Sequence, residues 1–212
     1  MGGIILAQDK DQVVAIDGKS SRRITSKADA SPLHMGSAFA ANAGVVLGQA
    51  ATAEKYNEIT AIPELLKVLD TDGCTVTIDV MGTQTKIARA IHERGAHYVL
   101  CAKDSPPTLR DSVIAADIDP RDPLTPRSTH EGKSTGNRRI EVRRCMAHDA
   151  TDQLYETSAW KDAASFVAVE RARTVGERTS TSCAYYISSL PAEVERIALA
   201  IGGHWEVKNR LH

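Results

Sequence analysis

Two short β-branched runs, each closed by an aspartate that follows an isoleucine, constrain this chain more than any other feature. Val13-Val14-Ala15-Ile16-Asp17 leads into Asp17-Gly18-Lys19, and Cys74-Thr75-Val76-Thr77-Ile78-Asp79 stops before Met81-Gly82. Each reads as a strand, the first with a turn at its end. After a polar stretch, Leu33–Ala41 and Val45–Ala51 read as two further strands joined at Asn42-Ala43-Gly44, which makes an antiparallel meander. Ile59, Ile62, Leu65, Leu66 and Leu69 follow helical spacing, and Pro63 suits a first helical turn. Thr85–Arg94 is expected to be helical, with Ile87, Ala88 and Ile91 on one face and Gly95 as its stop. His97–Ala102 reads as a strand and Thr108–Ala116 as a short helix. The order β-β-β-α-β-α-β-α predicts an α/β fold, a mixed sheet with helices on both faces.

The remainder is expected to extend that plan. Residues 117–137 hold Pro120, Pro123 and Pro126 among polar residues and read as a loop. Ile140–Met146, Ser165–Arg173 and Cys183–Ser188 read as later strands, and a last helix runs from about Ala192. The expected organisation is one domain over residues 1–212, with a loop and strand insertion around 117–190 before the C-terminal helix.

Composition excludes several classes. The 212 residues are 42% hydrophobic and 25% charged, which suits a globular core rather than disorder or a fibre. No apolar run approaches the roughly 20 residues that span a bilayer. Met1–Ala7 meets Gln8 and Asp9 before a signal-peptide core could form, so a cytoplasmic protein is expected. The four cysteines include no C-x-x-C pair, so neither a zinc knuckle nor a redox pair is signalled, and buried free thiols are expected. Net charge is −1, but residues 121–144 carry seven basic and three acidic groups, with Arg138, Arg139, Arg143 and Arg144 crowded together. Such a segment can meet phosphate, although on charge alone a solvated strand edge explains it as well.

Two motifs are decoys. Gly132-Lys133-Ser134-Thr135 imitates the end of a phosphate-binding loop, but position 127 is arginine where glycine is needed. No nucleotide cofactor is expected. His92-Glu93 and His97 stand five apart instead of four, across a helix stop, so a zinc-protease pair is excluded. Asp17 and Asp79 are more informative, because ligand sites of α/β sheets lie at the carboxyl ends of strands. If their strands are parallel neighbours the carboxylates converge, and a divalent cation relieves the repulsion between them. With Mg²⁺ such a pair can act on a phosphodiester. A turn aspartate and a strand-end cap are the plainer alternative.

The chain resembles the catalytic domain of the H repeat-associated insertion-sequence transposases. The resemblance rests on Val14–Ser20, His34–Ala40, Glu54–Leu66, Val76–Gln84, Tyr98-Val99-Leu100, Arg139-Ile140-Glu141, Tyr186–Leu190 and Gly203-His204-Trp205. It implies a ribonuclease-H-like fold and a DDE chemistry in which two aspartates and a glutamate hold Mg²⁺ (or Mn²⁺) at DNA ends. Asp17 and Asp79 match the two aspartates as catalytic and metal-binding residues. The partner implied is DNA at the transposon ends, with no membrane role and with a homodimer left open.

The third acid departs from the pattern. Where the family reads His-Trp-any-Ile-Glu-Asn, this chain reads His204-Trp205-Glu206-Val207-Lys208-Asn209, which puts Lys208 at the glutamate. Val194, Ile197, Ala198, Ile201, Trp205 and Lys208 are expected to form the stripe facing the sheet. Glu206 lies about 200° around the axis from Lys208 and could serve only if Gly202-Gly203 break the helix. Whether Glu206 or Glu141 replaces the missing acid is left open. A lysine there would pair with the aspartates and take over the cation's electrostatic role. The expectation is a transposase catalytic domain, a fragment of a longer protein, with little or no strand cleavage. A non-catalytic DNA-binding or inert remnant is the rival.

Overall fold

The computed structural model describes residues 12–21, 33–52, 58–79, 83–102, 128–136, 139–150 and 160–210. These contain nine strands and three helices, which fall into two compact units: residues 1–100 with 200–212, and residues 101–199.

The first unit is built on the order β3-β2-β1-β4-β5. β1 (Val13–Ser21), β2 (Leu33–Ala40) and β3 (Val45–Thr52) pair antiparallel, and the Asn42-Ala43-Gly44 turn closes with a Gly44 N–H to Ala40 carbonyl bond of 2.8 Å. β4 (Thr75–Ile78) then joins β1 in parallel, and β5 (His97–Cys101) joins β4 in parallel. Hairpins join antiparallel neighbours, whereas parallel ones need a crossover, here α1 (Glu58–Val68) and α2 (Thr85–His92). The result is the mixed sheet that the element order predicts.

Strand parity assigns the helices to faces. Gly18 pairs with Gly36, and a Cβ at Gly36 would lie 3.3 Å from the Leu65 side chain, so α1 covers the face of Val14, Ile16 and Gly18. The opposite face carries Val13, Ala15 and Asp17, and the C-terminal helix α3 (Val194–Arg210) lies against it at Gly203. On the inner face of α1, Ala61, Ile62, Leu65, Leu66 and Leu69 are buried, and Ile87, Ala88 and Ile91 are the buried stripe of α2. Gly95 ends the turn after α2 at φ 71°, and a Cβ there would fall 2.0 Å from Asp72 Oδ1, so only glycine fits.

The second unit is an antiparallel ribbon in the order β9-β8-β7-β6, from β6 (Ser128–Gly136), β7 (Arg139–Asp149), β8 (Ser165–Val175) and β9 (Arg178–Ser188). Its strands are buried at one end only, through Cys145, Met146, Phe166, Val167 and Ile187. Gly176, at φ 60°, opens the two-residue β8–β9 turn. The buried Ser165 hydroxyl donates to the Leu190 carbonyl at 2.8 Å, and Ser188 Oγ accepts from the Leu190 N–H at 2.9 Å.

Several sequence expectations are corrected. Asp17-Gly18-Lys19 is not a turn, because β1 continues to Ser21 with Asp17 opposite Ser37. Pro63 sits inside α1, which already starts at Glu58. Residues 128–136, expected as loop, form β6, since pairing along β7 outweighs a polar composition with little intrinsic strand preference. The Gly132–Thr135 decoy is therefore strand. The expected helix Thr108–Ala116 lies outside the described residues. Among the described residues no helix is long and apolar enough to cross a membrane.

All four cysteines are free; Cys74, Cys101 and Cys145 are buried and Cys183 is exposed. Burial pushes the Cys145 thiol up to about 12. Alkylation of the native protein at pH 8 should therefore modify Cys183 alone, with the other three reacting only in denaturant, as read by intact mass. A thiol held protonated by the fold stabilises it below the ordinary thiol range, and that contribution is lost as pH rises toward about 12. The unfolding midpoint should fall over that alkaline window.

Candidate metal centre

β1 and β4 run in register, with Val13 opposite Thr75 and Ile16 opposite Ile78. Asp17 is the next residue on β1, and Asp79 is the first beyond β4. Alternation puts Asp17 on one face with Val13 and Ala15, and puts Asp79 on that face with Thr75 and Thr77. This is the face that α3 covers.

The helix supplies a third group. Val194, Ile197, Ala200, Ile201 and His204 are its buried residues, while Ala198 and Trp205 are half-buried. The expected stripe is thus rotated, with His204 in the place assigned to Trp205. His204 Nδ1 lies 3.1 Å from the buried Thr77 Oγ1. Asp17, Asp79 and His204 each bring one donor atom into a group whose members all lie within 4.8 Å of one another. Carboxylates held this close to one another are the arrangement whose mutual repulsion a divalent cation relieves.

What lets the helix come so near is Gly203. A Cβ there would lie 2.9 Å from the Ala41 Cβ and 3.5 Å from Val13 Cγ1, whereas one at Gly202 would meet nothing within 4 Å. The helix is continuous through both glycines. Gly202-Gly203 therefore do not break it; the Glu206 side chain lies outside the described residues. Residue 208 is one turn beyond His204, on the same stripe; the Lys208 side chain lies outside the described residues.

The fit to a cation rests on the donor set. Two carboxylates and an imidazole, near the surface at the ends of two strands, suit a divalent ion that keeps some of its water. An imidazole among the donors favours Mn²⁺ over Mg²⁺. Sequence pattern does not single out His204 as a site residue, although it stands three residues after Ile201 and seven after Ile197, with a glycine before it.

The arginine cluster divides. Arg138 lies outside the described residues. Arg143 and Arg144 are successive in β7 and face opposite sides. Arg144 is engaged by Glu131 at 2.8 Å and Glu170 at 3.7 Å, and the Glu131 hydrogen bond is the main cause of its raised pKa. Arg139 shares the Arg143 side. Glu141 is buried and bonded to the Arg143 guanidinium.

Comparison with known proteins gives one consistent result. The family model described as the Transposase DDE domain matches residues 8–207. The H repeat-associated protein YhhI of Escherichia coli K12 is 36% identical over 217 residues, covering 97% of this chain and 56% of its own. YncI of Escherichia coli O157:H7 is 34% identical over 211 residues, 95% of this chain and 53% of its own. The chain spans about half the length of these curated relatives.

Gly203→Ala should destabilise the fold by about 1–3 kcal/mol through overpacking against Ala41 and Val13. Gly202→Ala should stabilise it by up to about 1 kcal/mol through helix propensity. Urea midpoints at constant slope test both.

Proposed function

Because this chain belongs to the DDE transposase family, in its H repeat-associated insertion-sequence branch, we propose that it is a transposase catalytic domain whose divalent metal is held by Asp17, Asp79 and His204. The observation that carries the reading is the convergence of these three side chains within 4.8 Å. The family implies divalent metal use, and a cation bound here supplies Lewis-acid stabilisation of charge developing on phosphodiester oxygens.

Asp17 and Asp79 hold the ion from two strands whose register is locked by backbone bonds. Thr77 orients the imidazole: with its hydroxyl accepting from Nδ1–H, the lone pair of His204 lies on Nε2. Of Mg²⁺ and Mn²⁺, the imidazole donor argues for Mn²⁺. Strand cleavage is weakened, because position 208 offers an ammonium where the family offers a carboxylate. The reading carries with it DNA at the transposon ends as partner and a cytoplasmic location, with a homodimer left open. Residues 1–212 act as one catalytic core, with the span around 117–190 as its insertion.

Mn²⁺ titration followed by electron paramagnetic resonance should give one saturable site, weakened at least tenfold in Asp17→Asn and in His204→Ala. On an end sequence with Mn²⁺, Lys208→Glu should cleave faster than the unmodified chain. Unchanged Mn²⁺ affinity in both site variants would overturn the metal centre, and robust cleavage by the unmodified chain would overturn the impairment.

A further inference from the structure

The outer half of the second unit's ribbon sorts its charges by face. Directly opposite residues of antiparallel strands share a face, and residues two apart along a strand do too. One row across β6–β9 is Gly132, Arg143, Arg171 and Ser182; the next is Ser134, Glu141, Arg173 and Ser180. A third sets Arg139 against Val175 and Val175 against Arg178. Five arginines therefore stand on one face, and Glu141 is the one acid in these rows. The reverse face of the same strands carries Lys133 and Arg144 against Glu131 and Glu170, which is neutral by count.

Packing does not account for the segregation. Arg173 and Arg178 are exposed, and Arg139, Arg143 and Arg171 are half-buried. Arg143 stands directly opposite Arg171, a like-charge pair that costs folding free energy. Glu141, bonded to Arg143, and Val175 stand among the arginines, but the residues that flank the rows, Ser134, Ser180, Ser182 and Gly132, are small, and a Cβ at Gly132 would meet nothing within 4 Å. The guanidinium groups thus rise from a low floor of glycine and serine, whose hydroxyls are further donors. Rows repeat about every 7 Å along the ribbon, which offers a regular series of forked donors to a regular series of anions.

We propose that this face of the β6–β9 ribbon binds the sugar-phosphate backbone of duplex DNA, through Arg139, Arg143, Arg171, Arg173 and Arg178. The inference rests on the transposase reading for its choice of polyanion. It takes Arg144 out of the cluster read from the sequence and adds three arginines that lie far from that cluster in the chain. Contacts of this kind position a duplex without reading its sequence.

Fluorescence anisotropy with a random-sequence duplex, in chelator and between 50 and 200 mM salt, tests the proposal. Arg171→Ala/Arg173→Ala should make the slope of log K against log salt shallower by about two. Gly132→Glu, which places a carboxylate beside Arg143 without a clash, should weaken binding, while Thr181→Glu on the reverse face should bind as the parent does. Because the assay runs in chelator, loss of the metal centre, read by the Mn²⁺ titration, and loss of this surface give separate results. The proposal is overturned if the double variant keeps the parent's slope, if Thr181→Glu weakens binding as much as Gly132→Glu, or if the parent shows no salt-dependent binding.

Discussion

The parallel pairing of β1 with β4 is the constraint on which the site depends. Backbone hydrogen bonds set Ile16 beside Ile78, so the residues that follow, Asp17 and Asp79, leave neighbouring strands on one face of the sheet. Their mutual repulsion is imposed by the ladder, and the stability of that ladder comes from the apolar residues before them: Val13 to Ile16 on one strand and Val76 and Ile78 on the other are all buried. The strained part of the site is thus held by the least polar part of the sheet. The two carboxylates are thus held in place by apolar packing that does not involve them.

The C-terminal helix completes the site through an absence. Gly203 has no Cβ, so α3 lies close enough to β1 for His204 to reach Thr77 and the two aspartates. A helix held farther off would keep its apolar stripe and lose the third donor. The same continuity fixes what the rest of the helix can do. Because α3 runs unbroken through Gly202-Gly203, position 208 lies one turn beyond His204 along the helix. His204 thus brings a donor from the helix to the two strand-end aspartates.

In the second unit the alternation of strand residues does for charge what it does in the core for hydrophobicity. Arg143 and Arg144 are neighbours in sequence and are separated by the pleat. Arg144 is paired with Glu131 and Glu170, while Arg143, bonded to Glu141, stands on the face that carries the arginines of β8 and β9. A count of charge over residues 121–144 cannot see this, because it adds groups that face opposite ways and omits those brought in by pairing.

Much of the first unit was legible from residue order. The Val13–Asp17 and Cys74–Asp79 runs, the stripe Ile87-Ala88-Ile91, the Gly95 stop and the Asn42–Gly44 turn are local patterns with local causes, and they define a mixed sheet with helices on both faces. The resemblance to a transposase family singled out the two aspartates and the missing glutamate. What local pattern misjudged was whatever long-range pairing decides: β1 running through Asp17-Gly18-Lys19, β6 forming from a polar segment, and the rotation of α3 that buries His204 instead of Trp205. By itself the sequence determined which elements form and which acids end them, because burial and turn chemistry act over a few residues. Only the tertiary structure decided which side chains meet, because that depends on strand register, pleat parity and the closeness of a helix at one glycine, none of which is encoded within a single element.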